Sequence, residues 1–275
     1  TMETKLLIDV RHYTGFSQQN LANFINKAPY SYKQFYIRKR NGRNRQISQP
    51  TRETKALQYA LIDLLFTKLP IHEIAYAYRP IKSPLKKLVK LHKDTDYSLK
   101  IDFKNFFPSI EFKDLKKILE SNKRYKFDQN DYDAIRNICF IYQNGDWILS
   151  VGAPSSPIIS NLVMYDLDKN LKNLAVEANK DAKITRYADD IVFSCNDKEA
   201  SDKFLKEVIE LLESTKSPKL SLNNDKTFYL SKSNRRRITG LIITPDGKVS
   251  IGRDRKRKIK SLVNSFKYGQ LDQDE

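Results

Sequence analysis

Acidic side chains are in short supply in this chain. Lys and Arg number 50 against 33 Asp and Glu, which leaves a formal charge of +17 over 275 residues. Such an excess points to a polyanionic partner, nucleic acid or an acidic membrane surface. Cysteine is scarcer still. Cys139 and Cys195 are the only two, and both lie in apolar surroundings without metal-ligand spacing. They read as buried reduced thiols of a cytosolic protein. No signal-peptide pattern opens the chain and no long uncharged apolar run occurs, so membrane insertion is not expected. Internal repeats and flexible inter-domain linkers are also missing. Of the three histidines, His12 and His72 have no evident partner. What remains is a globular composition, 40% apolar and 11% aromatic, long enough for one large domain or two subdomains.

Residues up to about 33 show helical spacing and read as an extension on the outside of the main body. Asn41-Gly42 between β-prone flanks then predicts a hairpin. Arg38, Lys39, Arg40, Arg43 and Arg45 cluster at that turn and could grip phosphates; a solvated charge cluster is the alternative. Thr51 is a candidate N-cap for the next helix. The tyrosine-rich residues 75–79 could line a groove, and a short basic helix runs to Leu91. Residues 112–139 read as helices with a polar connection near 126–132. Gly152-Ala153-Pro154-Ser155-Ser156-Pro157 permits close backbone approach to a ligand before another helix opens, although a plain structural loop would read the same way. An amphipathic helix spans 200–212. In the tail, Arg235-Arg236-Arg237 and the run from Arg253 to Lys258 flank a small hairpin turning at Asp246-Gly247. Two basic runs around one hairpin favour a nucleic-acid clamp.

The chemistry centres on Ile184-Thr185-Arg186-Tyr187-Ala188-Asp189-Asp190-Ile191-Val192-Phe193-Ser194. Two apolar β-prone segments flank adjacent carboxylates, which places Asp189 and Asp190 at the tip of a hairpin. Like charges in contact repel, and burying one unpaired is costly. Oxygen ligands of this kind suit Mg²⁺ or Mn²⁺ rather than zinc. A solvated turn would also use Asp. Asp102 ends a second apolar strand beside a crowd of aromatics, where a carboxylate needs either a salt bridge or a metal. If that strand lies beside the hairpin, Asp102, Asp189 and Asp190 converge.

In this order the stretches resemble the reverse transcriptase family, and within it the bacterial retron reverse transcriptases, over residues 35–260. Tyr187-Ala188-Asp189-Asp190 matches the family's Tyr-Ala-Asp-Asp box. Ile101-Asp102 with Phe106-Phe107-Pro108-Ser109 matches its first aspartate motif. Gly152 to Pro157 matches the template and nucleotide loop. Ile238-Thr239-Gly240-Leu241 resembles the retron Val-Thr-Gly motif, and Val249-Ser250-Ile251-Gly252-Arg253 is typical of the tail that follows it. The chain departs from the pattern twice. Val151 stands where the family has Gln. Of the retron Asn-Ala-x-x-His motif only His92 is kept, which makes it a candidate RNA-contacting or structural residue.

The resemblance implies an α+β right-hand polymerase with fingers, a palm with an antiparallel sheet and a small thumb. A helical extension would occupy residues 1–33, fingers with parts of the palm 34–100, palm 101–232 with a helical insertion at 112–150, and a thumb or RNA-binding tail 233–275. It implies an RNA-directed DNA polymerase copying part of a structured non-coding RNA into single-stranded DNA, primed from an RNA 2′-hydroxyl and serving anti-phage defence. The catalytic set would be Asp102, Asp189, Asp190 and Lys226, with Lys226 protonating the pyrophosphate. Two Mg²⁺ ions (or Mn²⁺) would be held by the aspartates and the Phe103 carbonyl. Lys39, Arg45, Phe107, Gly152, Ala153 and Pro154 would bind the dNTP, Phe107 excluding a ribose 2′-hydroxyl. His92, Arg235, Arg236, Arg237, Thr239, Gly240, Arg253, Arg255 and Arg257 would contact RNA. Implied partners are the cognate RNA and its RNA–DNA product, dNTPs and a retron effector protein. No RNase H, endonuclease or maturase segment is read, so a host RNase H is expected to remove the template. The setting is the bacterial cytoplasm, without membrane, and higher-order assembly is expected. The other readings are a different bacterial defence or group II intron-like reverse transcriptase, and a non-catalytic RNA-binding scaffold.

Overall fold

The computed structural model describes residues 4–38, 42 and 44–269. Helices α1 (Lys5–Thr14) and α2 (Gln18–Lys27) open the chain. Each begins at a hydroxyl cap: Thr4 Oγ1 accepts from Leu7 N at 3.2 Å and Ser17 Oγ from Asn20 N at 3.3 Å, satisfying donors that the first turn leaves free. Strands β1 (Tyr32–Arg38) and β2 (Asn44–Pro50) form the expected basic ribbon, Arg38 pairing with Asn44. Of its turn, Lys39, Arg40, Asn41 and Arg43 lie outside the described residues. Thr51 caps α3 (Arg52–Leu64), which packs on α1. Next come α4 (Pro84–Leu91), β3 (Tyr97–Asp102), α5 (Phe112–Ser121) and α6 (Gln129–Cys139).

The stretch expected to be helical up to residue 150 contains a hairpin instead. Strands β4 (Ile141–Gln143) and β5 (Asp146–Ile148) pair across Asn144-Gly145, both with positive φ. Asn-Gly between β-prone residues is a strong turn signal, and here it overrides the helical neighbourhood. Helices α7 (Ser155–Val163) and α8 (Tyr165–Ala178) follow, divided at Met164. The rest comprises β6 (Lys183–Tyr187), β7 (Asp190–Cys195), α9 (Lys198–Ser214), β8 (Phe228–Ser231), β9 (Arg236–Ile238), β10 (Leu241–Ile243), β11 (Val249–Ser250) and α10 (Arg253–Lys267). Among the described residues, no helix is long and apolar enough to cross a membrane.

The central element is a four-stranded antiparallel sheet in the order β6-β7-β3-β8. Its registers pair Leu99 with Phe193 and Ile101 with Ile191, so these four share one face. That face is buried beneath α8 and α9; the Phe193 ring stacks on Phe204 at 4.3 Å between centroids. The intervening pairs, Ser98 with Ser194, Lys100 with Val192 and Asp102 with Asp190, share the opposite face. At one end that second face is closed by α4 and the small sheet β11-β10-β9, through Leu88, Val89, Val192, Ile238 and Ile243. Its other end carries the carboxylates. Period-two alternation therefore separates a core face from a face that carries the polar groups. α10 has no buried residue and leaves Ile259, Val263 and Phe266 exposed among its Lys and Arg.

Candidate active site

Strand pairing brings two of the three aspartates together. Asp102, the last residue of β3, sits opposite Asp190, the first of β7. Ala188 and Asp189 form the two-residue turn between β6 and β7, and Ala188 has φ 57°. Only Asp189 therefore occupies the tip, while Asp190 already belongs to the strand. Phe103 N donates to Asp189 O at 3.1 Å, tying the turn to the end of β3.

The hairpin is anchored from below by Arg186, which is fully buried. Its Nε and Nη2 donate to Asp168 Oδ1 and Oδ2 of α8, both at 2.6 Å. Nη1 donates to Ala188 O at 3.0 Å, and Nη2 to Asn161 Oδ1 of α7 at 3.1 Å. A bidentate, charge-assisted pair of this kind fixes the orientation of both partners. Nothing in the apolar and polar pattern of the hairpin sequence announced this role; an arginine within a β-prone run is the one available signal.

Each carboxylate near the turn is held by an ammonium group or raised by its surroundings. Lys226 Nζ donates to Asp102 Oδ1 at 2.9 Å and Oδ2 at 3.0 Å, and Asn223 Nδ2 donates to Oδ1 at 3.1 Å. Lys100 Nζ lies 2.9 Å from Asp190 Oδ2. Burial raises the Asp189 carboxyl above its ordinary value, and the Asp102 charge raises it further. Burial pushes Asp190 up to about 6 against the opposing pull of Lys100. As the side chains stand, no three His, Cys, Asp or Glu among the described residues are grouped closely enough to hold an ion. The donor set nevertheless fits a divalent cation. Its oxygens are hard ligands, the neighbouring charges are disfavoured as they stand, and Asp190 Oδ1 is buried without a hydrogen-bond partner. Asp102, Asp189, Asp190 and the Phe103 carbonyl are the groups that could hold it.

Beside the turn lies a cavity of about 500 Å³ lined by Arg45, Tyr78, Phe107, Gly152, Ala153 and Pro154 among others. Five of those six were expected at a nucleotide site; Tyr78 was anticipated only as one of the tyrosines of a possible groove. Lys39, expected beside Arg45, lies outside the described residues. Gly152 has φ +119°, and a Cβ there would stand 2.9 Å from Ile47 Cγ2 and 3.1 Å from Ser48 O. Its freedom serves a contact with β2, reinforced where Ser48 N donates to Val151 O at 2.8 Å. The loop thereby ties the basic ribbon to the start of α7.

Two residues expected to touch RNA do not present their side chains to it. His92 is fully buried, with Nδ1 2.6 Å from Ser194 Oγ and Nε2 2.8 Å from Thr185 Oγ1. Burial lowers its imidazole to about 3, so it is neutral at physiological pH and ties β6 to β7. Arg236 is buried too. Its Nη1 donates to Thr95 O at 2.7 Å and Ser98 Oγ at 3.2 Å, and its Nη2 to Lys93 O at 2.9 Å. For His92 the structural alternative holds, since both ring nitrogens are engaged. Arg236 is corrected to a structural role, its terminal nitrogens bonding the Thr95 and Lys93 carbonyls and the Ser98 hydroxyl. Arg235, Arg237, Gly240, Arg253, Arg255 and Arg257 are exposed, and Thr239 is half-buried at φ 46°.

An antiparallel palm whose acidic hairpin abuts a strand-end aspartate defines the class as right-hand polymerases, and solved structures agree. Apo telomerase from Candida Tropicalis, truncated from its C-terminal domain, superposes with TM-score 0.53 at 17% identity, over 80% of this chain and 54% of that one. Telomerase from Candida albicans in complex with a TWJ fragment of telomeric RNA gives TM-score 0.53 at 12% identity, over 79% of this chain and 46% of that one. The chain thus spans about half the length of these structures, and at such identity the likeness concerns the fold alone. The model of the reverse transcriptase (RNA-dependent DNA polymerase) family matches residues 37–243, and the chain belongs to that family. It is 39% identical to the Retron Ec83 reverse transcriptase of Escherichia coli, over 87% of this chain and 77% of that protein. To the Retron Ec73 reverse transcriptase of Escherichia coli it is 33% identical, over 95% of this chain and 86% of the relative. It is an RNA-directed DNA polymerase by that membership.

The buried pair sets a first expectation. Asp168→Ala leaves Arg186 charged and unpaired in the core, so stability falls by about 3–5 kcal/mol, read from urea unfolding. A second concerns pH. A carboxyl whose folded pKa is raised favours the fold at low pH, and this contribution is lost as pH rises through the folded value. In the metal-free protein, the Asp190 contribution is therefore lost as pH rises through about 6. Ion binding needs the carboxylate, so Mg²⁺ affinity measured by calorimetry strengthens as pH rises through about 6; a flat profile contradicts the assignment of Asp190 as a ligand.

Proposed function

We propose that this chain is the reverse transcriptase of a retron, copying part of a structured non-coding RNA into single-stranded DNA. The observation that carries the catalytic reading is the cross-strand pairing of Asp102 with Asp190, with Asp189 in the adjoining turn. Sequence likeness to the retron enzymes over most of the chain supports the narrower assignment. Asp102, Asp189, Asp190 and the Phe103 carbonyl would hold two Mg²⁺ ions (or Mn²⁺), which would supply activation of the primer hydroxyl and charge neutralisation at the triphosphate and leaving pyrophosphate. Most of the catalysis in such phosphoryl transfers comes from charge and placement.

The chain's own groups supply the rest. Arg45 faces the cavity and grips the triphosphate, together with Lys39. Gly152, Ala153 and Pro154 form the cavity wall against which the nucleotide lies. Phe107 excludes a ribose 2′-hydroxyl. Lys226 is half-exposed even while paired with Asp102, so its ammonium can leave that carboxylate and donate a proton to the departing pyrophosphate. Exposed Arg235, Arg237, Arg253, Arg255 and Arg257, with Thr239 and Gly240 at the hairpin turn, contact the RNA backbone by charge and shape. Priming from an RNA 2′-hydroxyl, assembly with an effector protein, template removal by a host RNase H, a bacterial cytoplasmic setting and a role in anti-phage defence complete the retron reading.

Two measurements test this. Asp189→Asn abolishes magnesium-dependent primer extension on an RNA template; wild-type activity would remove Asp189 from the mechanism. Sequencing the nucleic acid that co-purifies with the protein yields a branched RNA–DNA hybrid; unbranched cellular RNA alone would count against the retron assignment.

A further inference from the structure

Tyr78 sits in backbone conformation that a bulky side chain rarely adopts, with φ 58°. Such strain persists where the surroundings over-determine it, and here they do. On the N-terminal side, Arg186 N donates to Ile74 O at 2.7 Å and Tyr76 N to Arg186 O at 2.8 Å. Ala77 O accepts from Asn161 Nδ2 at 2.8 Å. On the C-terminal side, Arg79 Nη1 donates to Ala75 O at 3.1 Å and His72 O at 3.3 Å. The segment is thus stitched to the same Arg186–Asn161 network that holds the acidic turn, and the direction of the Tyr78 side chain is set by it.

That direction is into the nucleotide cavity. The Tyr78 ring lies 6.4 Å from Phe107, tilted 48°, and 6.4 Å from Tyr187, tilted 40°. Phe107 also meets the buried Phe106 at 5.4 Å. Phe107 therefore has two aromatic neighbours, one in the core and one across the cavity. These separations lie in the range where tilted rings attract. Burial and the nearby Asp189 charge both raise the Tyr78 phenol, which agrees with a ring placed at the mouth of the acidic site.

We propose that Tyr78 is a positioning residue for sugar discrimination: its ring buttresses Phe107, and without it Phe107 rotates away and admits ribonucleotides. The inference rests on the reading of Phe107 as the group that excludes the 2′-hydroxyl. On its cavity side Phe107 meets the Tyr78 ring, whose neighbouring backbone is already fixed before a nucleotide arrives. The ring, not the hydroxyl, makes this contact.

The experiment compares kcat/KM for a dNTP and the matching rNTP on an RNA template. Tyr78→Asn removes the ring while accepting the left-handed backbone; should it fail to fold by thermal unfolding, Tyr78→Gly serves the same purpose. Expected is a fall in dNTP preference of about tenfold, arising mainly from better rNTP use. Tyr78→Phe keeps the wild-type preference. The double variant with Phe107→Ala discriminates no worse than Phe107→Ala alone, as two residues acting through one contact should. If Phe107→Ala lowers the preference while Tyr78→Asn slows both nucleotides equally, the buttress is overturned and the gate stands. If Phe107→Ala leaves the preference unchanged, the gate reading falls and this inference with it.

Discussion

The buried ion pair between Arg186 and Asp168 is the constraint on which the site's geometry depends. A charged guanidinium in the core is costly unless it is paired and hydrogen-bonded, and pairing this one draws in parts distant along the chain. Asp168 comes from α8, Asn161 from α7 and Ala188 from the acidic turn itself. Through Asn161 and the Arg186 backbone, the same network reaches residues 74–77. The acidic turn is thereby held against the helical layer beneath the sheet and the loop beside the cavity together. A hairpin tip that would otherwise be mobile becomes a rigid platform for like charges.

Charge balance is the second theme. Asp102 and Asp190 face each other across β3 and β7, where mutual repulsion and burial would destabilise the fold. Lys226 offsets this through both oxygens of Asp102, and Lys100 through one oxygen of Asp190. The two lysines differ in situation. Lys100 projects from the central strand and is mostly buried, whereas Lys226 follows a short turn and is half-exposed. One is fixed beside its carboxylate by the sheet, and the other has room to move. The difference suits a permanent counter-charge in the first case and a mobile proton donor in the second.

Much of the fold was legible because alternation and turn chemistry are local. The strand ending at Asp102, the hairpin carrying the paired aspartates, the Thr51 cap and the basic ribbon all follow from patterns a few residues long. Local rules also explain the failures. The Asn144-Gly145 hairpin was hidden among helices by its three-residue strands. His92 reads as an RNA-contacting or structural residue from its place in a retron motif, and Arg236 as an RNA contact from its place in a basic run. Their burial depends on partners about a hundred residues or more away, Ser194 and Thr185 for His92, Thr95 and Ser98 for Arg236. No local pattern encodes such a partner.

By itself, the sequence determined which residue types stand at each strand end and turn, and hence which carboxylates, cations and aromatic rings are available. Chain periodicity also decided the faces: once β3 and β7 are strands in their observed register, Asp102, Lys100 and Asp190 must share a side. Only the tertiary structure decided which of these groups meet. Arg186 meeting Asp168, Lys226 meeting Asp102 and Tyr78 meeting Phe107 are long-range pairings, set by how helices and sheet pack. Their energies come from desolvation and close geometry, quantities that exist only once the core has excluded water.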